Sequence, residues 1–139
     1  MPARAPRKGL IVGLDHVQIS IPAGGEPAAR AFYGGLLGLS EVEKPRALAA
    51  RGGCWFVGDG LSIHLGTESG FQPARKAHAA LLARDLGALR RRLDEAGATT
   101  RDDDVDIGVR RFYVEDPFGN RLELVDAADA GFTGRATGG

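Results

Sequence analysis

The order strand, helix, strand, strand, strand occurs twice in this chain of 139 residues, and this internal repeat constrains the fold more than any other feature. Alternating apolar residues predict the strands, and apolar residues at helical spacing predict the helices. The first copy covers residues 10–66 and the second covers residues 76–126, with the polar residues 67–75 between them as a linker. Two copies are too few for a solenoid. The repeat therefore predicts two βαβββ modules packed as one α+β domain.

Local signals set the bounds of several elements. Residues 10–21 alternate between apolar and polar side chains and predict one strand. Pro27, at a first helical position, and Gly38, as a stop, delimit a short amphipathic helix. Asp85 is the predicted N-cap of the second helix. A further strand is predicted in the second half of residues 41–50.

The aromatic segment before each final strand also repeats. Residues 55–57 (WFV) match residues 112–114 (FYV), and both are followed by an aspartate two positions on. Trp55 and Phe56 are expected in the hydrophobic core, because large aromatic side chains in a strand are usually buried.

Composition excludes several functional classes. Eighteen Lys and Arg balance eighteen Asp and Glu, so no net charge attracts nucleic acid or anionic membranes, and neither partner is expected. The single cysteine, Cys54, excludes an intramolecular disulfide, and no apolar run is long enough for a membrane span or a signal peptide. We therefore expect a cytoplasmic protein. Residues 1–9 and 127–139 are expected to be flexible tails.

The three histidines and Glu123 occupy equivalent places in the two modules. His16 and His78 fall on the first strands, 62 residues apart, whereas His64 and Glu123 fall on the last strands, 59 residues apart. By alternation, each lies on the face opposite the apolar residues of its strand. A single histidine is most often a hydrogen-bonded or solvated residue, but two concave modules that bring four such positions together predict a metal site. Imidazole and carboxylate ligands suit Fe, Mn, Ni, Co or Zn.

Three motifs resemble the vicinal oxygen chelate superfamily, which includes glyoxalases, extradiol dioxygenases, epimerases and antibiotic-resistance proteins. They are residues 15–17 (DHV), residues 32–39 (FYGGLLGL), and residues 116–120 (DPFGN) followed by Glu123. The resemblance covers about residues 10–126. It implies a curved, barrel-like mixed sheet around a divalent metal, often in a homodimer. It also implies a small-molecule substrate whose two vicinal oxygens chelate the metal, which acts as a Lewis acid.

The interpretation ranked first within that superfamily is an enzyme similar to the extradiol dioxygenases. The resemblance then implies an Fe²⁺ triad made of His16, His78 and Glu123. His64 would stand behind the metal as an acid or base, and Tyr113, ten residues before the glutamate, would point at the substrate. Residues 112–123 fit the later part of the extradiol signature. Residues 104–106 (DVD) stand where the earlier part has a further histidine.

Two alternatives remain open. In a glyoxalase I-like lyase, isomerase or epimerase, all four positions including His64 would bind Ni²⁺, Zn²⁺, Co²⁺ or Mn²⁺, although glyoxalases usually have Glu or Gln at the position of His64. In a drug-binding protein of the bleomycin-resistance type there would be no catalysis, and such relatives typically lack the metal residues. In either enzyme, His64 or Glu123 moves a proton. Arg111 shares the face of Tyr113 and can hold an anionic group of the substrate.

Overall fold

The computed structural model describes residues 9–131 and contains two four-stranded mixed sheets, which are curved and not closed into a barrel. The first module consists of β1 (Val17–Ile21), α1 (Glu26–Ala29) continued by a π-helical segment (Arg30–Leu36), β2 (Ser40–Val42), a 3₁₀ helix (Arg46–Arg51), β3 (Cys54–Gly58) and β4 (Leu61–Thr67). The second consists of β5 (Ala79–Ala83), α2 (Leu86–Glu95), β6 (Thr100–Arg101), β7 (Arg111–Glu115) and β8 (Arg121–Asp126). The predicted α+β class with two βαβββ modules is confirmed.

The repeat extends to the register of the strands. The sheets have the orders β1-β4-β3-β2 and β5-β8-β7-β6, and in each the first strand runs parallel to the last. Gln18 lies opposite His64, and Ala80 lies opposite Glu123. Each partner lies two residues after a histidine. His16 and His78, predicted on the first strands, instead lie directly before β1 and β5, and from there they contact His64 and Glu123 on the last strands.

The register corrects one predicted correspondence between the modules. Trp55 lies opposite His64 and Tyr113 lies opposite Glu123, so Trp55, and not Phe56, is the counterpart of Tyr113. Tyr113 precedes Glu123 by ten positions, whereas Trp55 precedes His64 by nine, and this difference shifts the sequence match by one position.

Buried residues from both modules form one hydrophobic cluster. Strand alternation decides which side chains enter it: on the hairpin of β7 and β8 they are Phe112, Val114, Leu122 and Leu124. Tyr113 and Glu123 point to the other face and are only partly buried. The core therefore lies on one face of each sheet, and the candidate site residues lie on the opposite face.

A buried carboxylate connects the two modules. Oδ1 of Asp116 accepts hydrogen bonds from the backbone N–H groups of Phe118 and Asn120, both at 2.9 Å. Its Oδ2 accepts from the Tyr33 hydroxyl and the Asn120 amide, both at 2.8 Å. An ionised carboxylate has about four acceptor positions, and all of them are occupied here. Because a buried charge is tolerated only when it is fully hydrogen-bonded, this network is needed for the Asp116 carboxylate to stay inside the protein.

The same network fixes the turn and the linker. Asn120 also donates to the carbonyl of Ser20 in β1 and accepts from the N–H of Ala74 in the linker, both at 2.9 Å. Burial, followed by the charge of Asp116, raises the pKa of the Tyr33 hydroxyl well above its ordinary value, so the hydroxyl remains a donor. Gly119 has φ +90°, a conformation that favours glycine in this turn.

Two predicted strands differ from the observed ones. β1 begins at Val17, and residues 10–16 lie outside the sheet. Its hydrogen-bonded partner is β4 alone, so the chain before Val17 lacks a neighbouring strand within residues 9–131. The strand predicted in the second half of residues 41–50 is wrong, because β2 occupies Ser40–Val42 and Pro45 instead caps a 3₁₀ helix, for which its fixed φ is suitable.

The predicted N-cap of the second helix is confirmed. Asp85 caps α2, since its carboxylate accepts a hydrogen bond from the N–H of Ala88 at 2.9 Å.

The predicted tails are described only in part. Residues 1–8 and 132–139, in the predicted tails, lie outside the described residues. Past the predicted end of the domain, Ala127 is buried and its N–H donates to the carbonyl of Ala83. No helix in the described part of the chain is long and apolar enough to cross a membrane.

Replacing Tyr33 by phenylalanine should destabilise the fold by about 1–3 kcal/mol, because it leaves one acceptor position of the buried Asp116 carboxylate empty. The free energy of unfolding, measured with urea, tests this value. The control is Tyr113→Phe, the same chemical change at a partly exposed position, which should cost less than about 1 kcal/mol. Equal losses in the two variants would show that the Asp116 network is not a special source of stability.

Candidate metal centre

The four predicted ligand residues form two pairs in the single chain. On the first sheet the rings of His16 and His64 stack with their centroids 4.0 Å apart. On the second sheet Nε2 of His78 lies 3.3 Å from Oε2 of Glu123. Within residues 9–131 no three His, Cys, Asp or Glu side chains form a group that could hold a metal ion. The described chain therefore holds these four residues as two separate pairs, each called a half-site of the candidate centre below.

The second pair places two acceptor atoms side by side. Nδ1 of His78 lies 2.8 Å from the carbonyl oxygen of Lys76, which can only accept, so Nδ1 carries the proton. In neutral His78 the lone pair of Nε2 then points toward the carboxylate oxygen of Glu123. A proton or a cation must lie between these two atoms, because two lone pairs do not attract each other.

The separation of these atoms fits a metal ion. Two ligand atoms, each about 2.1 Å from one ion, lie about 3.0 Å apart at a right angle and about 3.4 Å apart at the tetrahedral angle. The observed 3.3 Å between His78 and Glu123 lies between these values. Histidines that bind metals usually donate their other ring N–H to a carbonyl or a carboxylate, as His78 does. The spacing of this pair therefore fits one shared divalent ion.

His16 has the same local arrangement. Its Nδ1 lies 2.8 Å from Oδ1 of Asp15, so the carboxylate accepts the Nδ1 proton and leaves the Nε2 lone pair available. The side chain of His16 is 37 % exposed, which keeps that nitrogen accessible. His16, directly before β1, thus has the same hydrogen-bond arrangement at Nδ1 as His78, directly before β5.

His64 is enclosed between two rings. Trp55 stacks on one of its faces with a centroid distance of 3.6 Å and an interplanar angle of 3°, and His16 covers the other face. Only 9 % of His64 is exposed. Burial lowers the pKa of His64, and the neighbouring His16 lowers it further. Both effects favour the neutral form of the imidazole.

A network of charged groups contacts Oε1 of Glu123, the carboxylate oxygen that does not face His78. Nη1 of Arg111 lies 3.0 Å from Oε1 of Glu123, 3.0 Å from the Tyr113 hydroxyl and 3.1 Å from Oδ2 of Asp103. The hydroxyl of Tyr113 donates to the same Asp103 oxygen at 3.1 Å. A backbone N–H from Val105, and then the bonds from Tyr113 and Arg111, hold the pKa of Asp103 below its ordinary value. Arg111 is thus engaged by protein carboxylates, and Tyr113 lies next to Glu123.

Comparison with known proteins identifies the family. The model of the Glyoxalase/Bleomycin resistance protein/Dioxygenase superfamily matches residues 13–124. The chain belongs to this superfamily. A crystal structure of a glyoxalase family protein from Bacillus anthracis is 43 % identical, with a TM-score of 0.82, over 86 % of this chain and 98 % of that one. The resemblance seen in the sequence is therefore confirmed.

More distant superfamily members share the fold. A glyoxalase/dioxygenase from Nostoc punctiforme is 21 % identical, with a TM-score of 0.71, over 89 % of this chain and 97 % of that one. The fosfomycin resistance protein FosX from Listeria monocytogenes is 17 % identical, with a TM-score of 0.69, over 84 % of this chain and 94 % of that one. A search of curated proteins finds no match.

The sequence does not reveal several residues of this superfamily site. Trp55, expected in the core, instead stacks on His64, whereas Phe56 is buried as expected. Asp103, which no sequence motif indicates, contacts both Arg111 and Tyr113. The position of Trp55 opposite His64 could have been predicted from the length of the short turn between β3 and β4. The contacts of a loop residue such as Asp103 could not, because loop residues show no periodic pattern in the sequence.

Removing the Arg111 guanidinium should destabilise the fold by more than the loss of an exposed ion pair, because it leaves Glu123 and Asp103 facing each other without a cation. We expect this loss for Arg111→Leu at neutral pH in urea unfolding, with partial recovery when a divalent cation is added. The control is Arg84→Leu, whose exposed ion pair with Asp59 should contribute less than about 1 kcal/mol. An Arg111→Leu variant as stable as the wild type would rule out the structural role of Arg111.

Proposed function

We propose that this protein is a metal-dependent enzyme that acts on a small molecule with two vicinal oxygens, and that its metal centre is shared between two chains of a homodimer. The observation that carries the proposal is the convergence of His78 Nε2 and Glu123 Oε2 at 3.3 Å, with the other nitrogen of His78 held by a carbonyl. A cation between the two atoms would be held by the Nε2 lone pair and by the carboxylate, and His78 already has the outer hydrogen bond that is usual for a metal-binding histidine.

A second copy of the chain would supply the third ligand. β1 and β5, which follow His16 and His78, are both edge strands, so each half-site lies at an open margin of its sheet. The apolar residues Leu10, Ile11, Val12 and Leu14 precede His16 and are each at least 81 % exposed. A run of exposed apolar residues of this kind is typical of an interface. Pairing of the two margins would bury this run and bring His16 of one chain to His78 and Glu123 of the other.

Each residue of the assembled site would have a distinct task. A divalent metal held by His16, His78 and Glu123 would act as a Lewis acid toward two substrate oxygens. His64, neutral and adjacent to His16, would take a proton from the substrate and return it. Arg111 keeps Glu123 in position, and Tyr113 contacts the substrate from the strand opposite Glu123.

Two reaction types use these residues. Ring cleavage of a catechol-like substrate with Fe²⁺ is supported by the position of Tyr113 beside Glu123 and His78, from which its hydroxyl could contact the substrate. A lyase or isomerase reaction is favoured by the enclosed, neutral His64, which either moves a proton or serves as a fourth ligand. Among the relatives, FosX from Listeria monocytogenes has been crystallised with Mn(II), which supports a divalent ion in this family of folds.

Elemental analysis of the purified protein and titration of the metal-free protein with Fe²⁺, Mn²⁺, Ni²⁺ and Zn²⁺ test the metal centre. Loss of a hydrogen-bond partner of a metal ligand lowers metal affinity by about 10–100-fold, so removal of a ligand in Glu123→Ala should lower it by at least about 100-fold. Glu115→Ala, an exposed glutamate on β7, is the matched control and should bind metal like the wild type. A wild-type protein that takes up none of these ions at micromolar concentrations would instead indicate a non-enzymatic binding protein.

Subunit mixing tests whether the site is shared. His16→Ala and Glu123→Ala homodimers should each lack metal, but mixed dimers contain one intact site, so mixing should restore about a quarter of the wild-type metal content. No recovery after confirmed subunit exchange would exclude a shared site. Oxygen uptake with a catechol by the iron-loaded protein separates ring cleavage from a lyase or isomerase reaction, which consumes no oxygen.

A further inference from the structure

Three arginine side chains surround the ring of Tyr113, on the sheet face that carries Glu123. The guanidinium carbons of Arg101, Arg111 and Arg121 lie 5.3, 5.8 and 5.1 Å from the ring centroid. A guanidinium group is attracted to an aromatic ring, but three positive charges around one ring repel each other. Such a cluster is favourable only when negative charge lies close to it.

Arg111 is neutralised by protein groups, and the other two arginines are not. Arg111 contacts the carboxylates of Asp103 and Glu123 at 3.1 and 3.0 Å. Within residues 9–131, by contrast, the side chains of Arg101 and Arg121 form neither an ion pair nor a hydrogen bond; the arginines that do form ion pairs are Arg30, Arg84, Arg90, Arg110 and Arg111. Two guanidinium groups therefore remain available to a ligand.

These two arginines line a cavity of about 210 Å³. Arg75 of the linker adds a third positive side chain, and it also forms no ion pair within the described chain. The other residues of the wall are Thr99, Tyr113, Val114, Glu115 and Gly119. Three arginines and a single carboxylate give this small cavity a net positive charge.

The cavity is adjacent to the candidate metal pair. Arg101, Tyr113 and Glu123 lie in one row across β6, β7 and β8, because each is directly opposite the next. The ring of Tyr113 also meets the ring of His78 edge to face, with the centroids 5.6 Å apart. One small molecule can thus reach both the cavity and the metal ligands, with Tyr113 between them.

We propose that Arg75, Arg101 and Arg121 form a subsite for an anionic group of the substrate, a phosphoryl or carboxylate oxyanion. The planar fork of a guanidinium group matches either oxyanion with two parallel hydrogen bonds. Arg111 orients Glu123, and the binding of the anion falls to the three arginines of the cavity. The assignment of the anion to a substrate rests on the proposed function, whereas the binding of the anion itself requires no metal.

Inorganic phosphate and acetate are the probes, added to the full-length protein after removal of metals with EDTA. We expect phosphate to shift the NMR signals of the side-chain Nε–H groups of Arg75, Arg101 and Arg121. Arg101→Gln/Arg121→Gln should weaken phosphate binding by at least about tenfold, because two charge-assisted contacts are lost. A preference for phosphate over acetate would indicate a phosphoryl group, and equal or stronger binding of acetate would indicate a carboxylate.

The control is Arg91→Gln, an exposed arginine of α2 outside the cavity, which should bind phosphate like the wild type. Metal affinity, measured separately, should stay within about twofold of the wild type in Arg101→Gln/Arg121→Gln, because neither arginine is a ligand. The subsite is refuted if the double variant binds phosphate as tightly as the wild type does. It is also refuted if phosphate shifts the Nε–H signal of Arg91 as much as the Nε–H signals of the cavity arginines. Since these measurements use metal-free protein, their outcome is independent of whether the proposed metal centre exists.

Discussion

The buried carboxylate of Asp116 is the interaction on which the architecture depends. It lies at the turn between β7 and β8, where it accepts two backbone N–H groups of its own turn and a hydroxyl from Tyr33 in the other module. Asn120 extends the network to β1 through Ser20. Because a buried charge must have all its acceptor positions filled, the turn, the π-helical segment and the first strand have to be in place together. The mutual position of the modules is thus coupled to the turn that sets the register of Glu123.

Each sheet of this superfamily member bears half of a candidate site on its open face. Equivalent pairs of residues lie side by side on neighbouring strands of the two sheets. Trp55 lies opposite His64 in the first sheet, and Tyr113 lies opposite Glu123 in the second. The chemistry has nevertheless diverged. The first sheet encloses a neutral imidazole between aromatic rings, whereas the second surrounds a carboxylate with arginines. The same fold, repeated twice, therefore surrounds equivalent positions with different groups: aromatic rings around His64, and charged side chains around Glu123.

Much of the fold was predictable, because strand alternation and the repeat report directly on burial. The leucines of β8 are buried and Glu123 is on the other face, as the period of two requires. The beginning of β1 was not predictable, since Leu10, Ile11 and Val12 have strand-forming side chains but no neighbouring strand in the described chain. The local pattern of side chains shows that a segment can form a strand. Whether the strand forms depends on a neighbouring strand that can hydrogen-bond to it.

The sequence by itself determined that the chain has two equivalent modules and that His16, His64, His78 and Glu123 lie on the faces away from the core, because alternation and the repeat period are local properties. The tertiary structure decided how these residues associate. It stacks His64 between Trp55 and His16, brings His78 to 3.3 Å from Glu123, and leaves the two pairs apart within one chain. It also turns Arg111 toward two carboxylates and leaves Arg101 and Arg121 at a cavity. These side-chain positions depend on contacts between strands and loops that are distant in the sequence. The spacing of residues along the chain gives no information about such contacts.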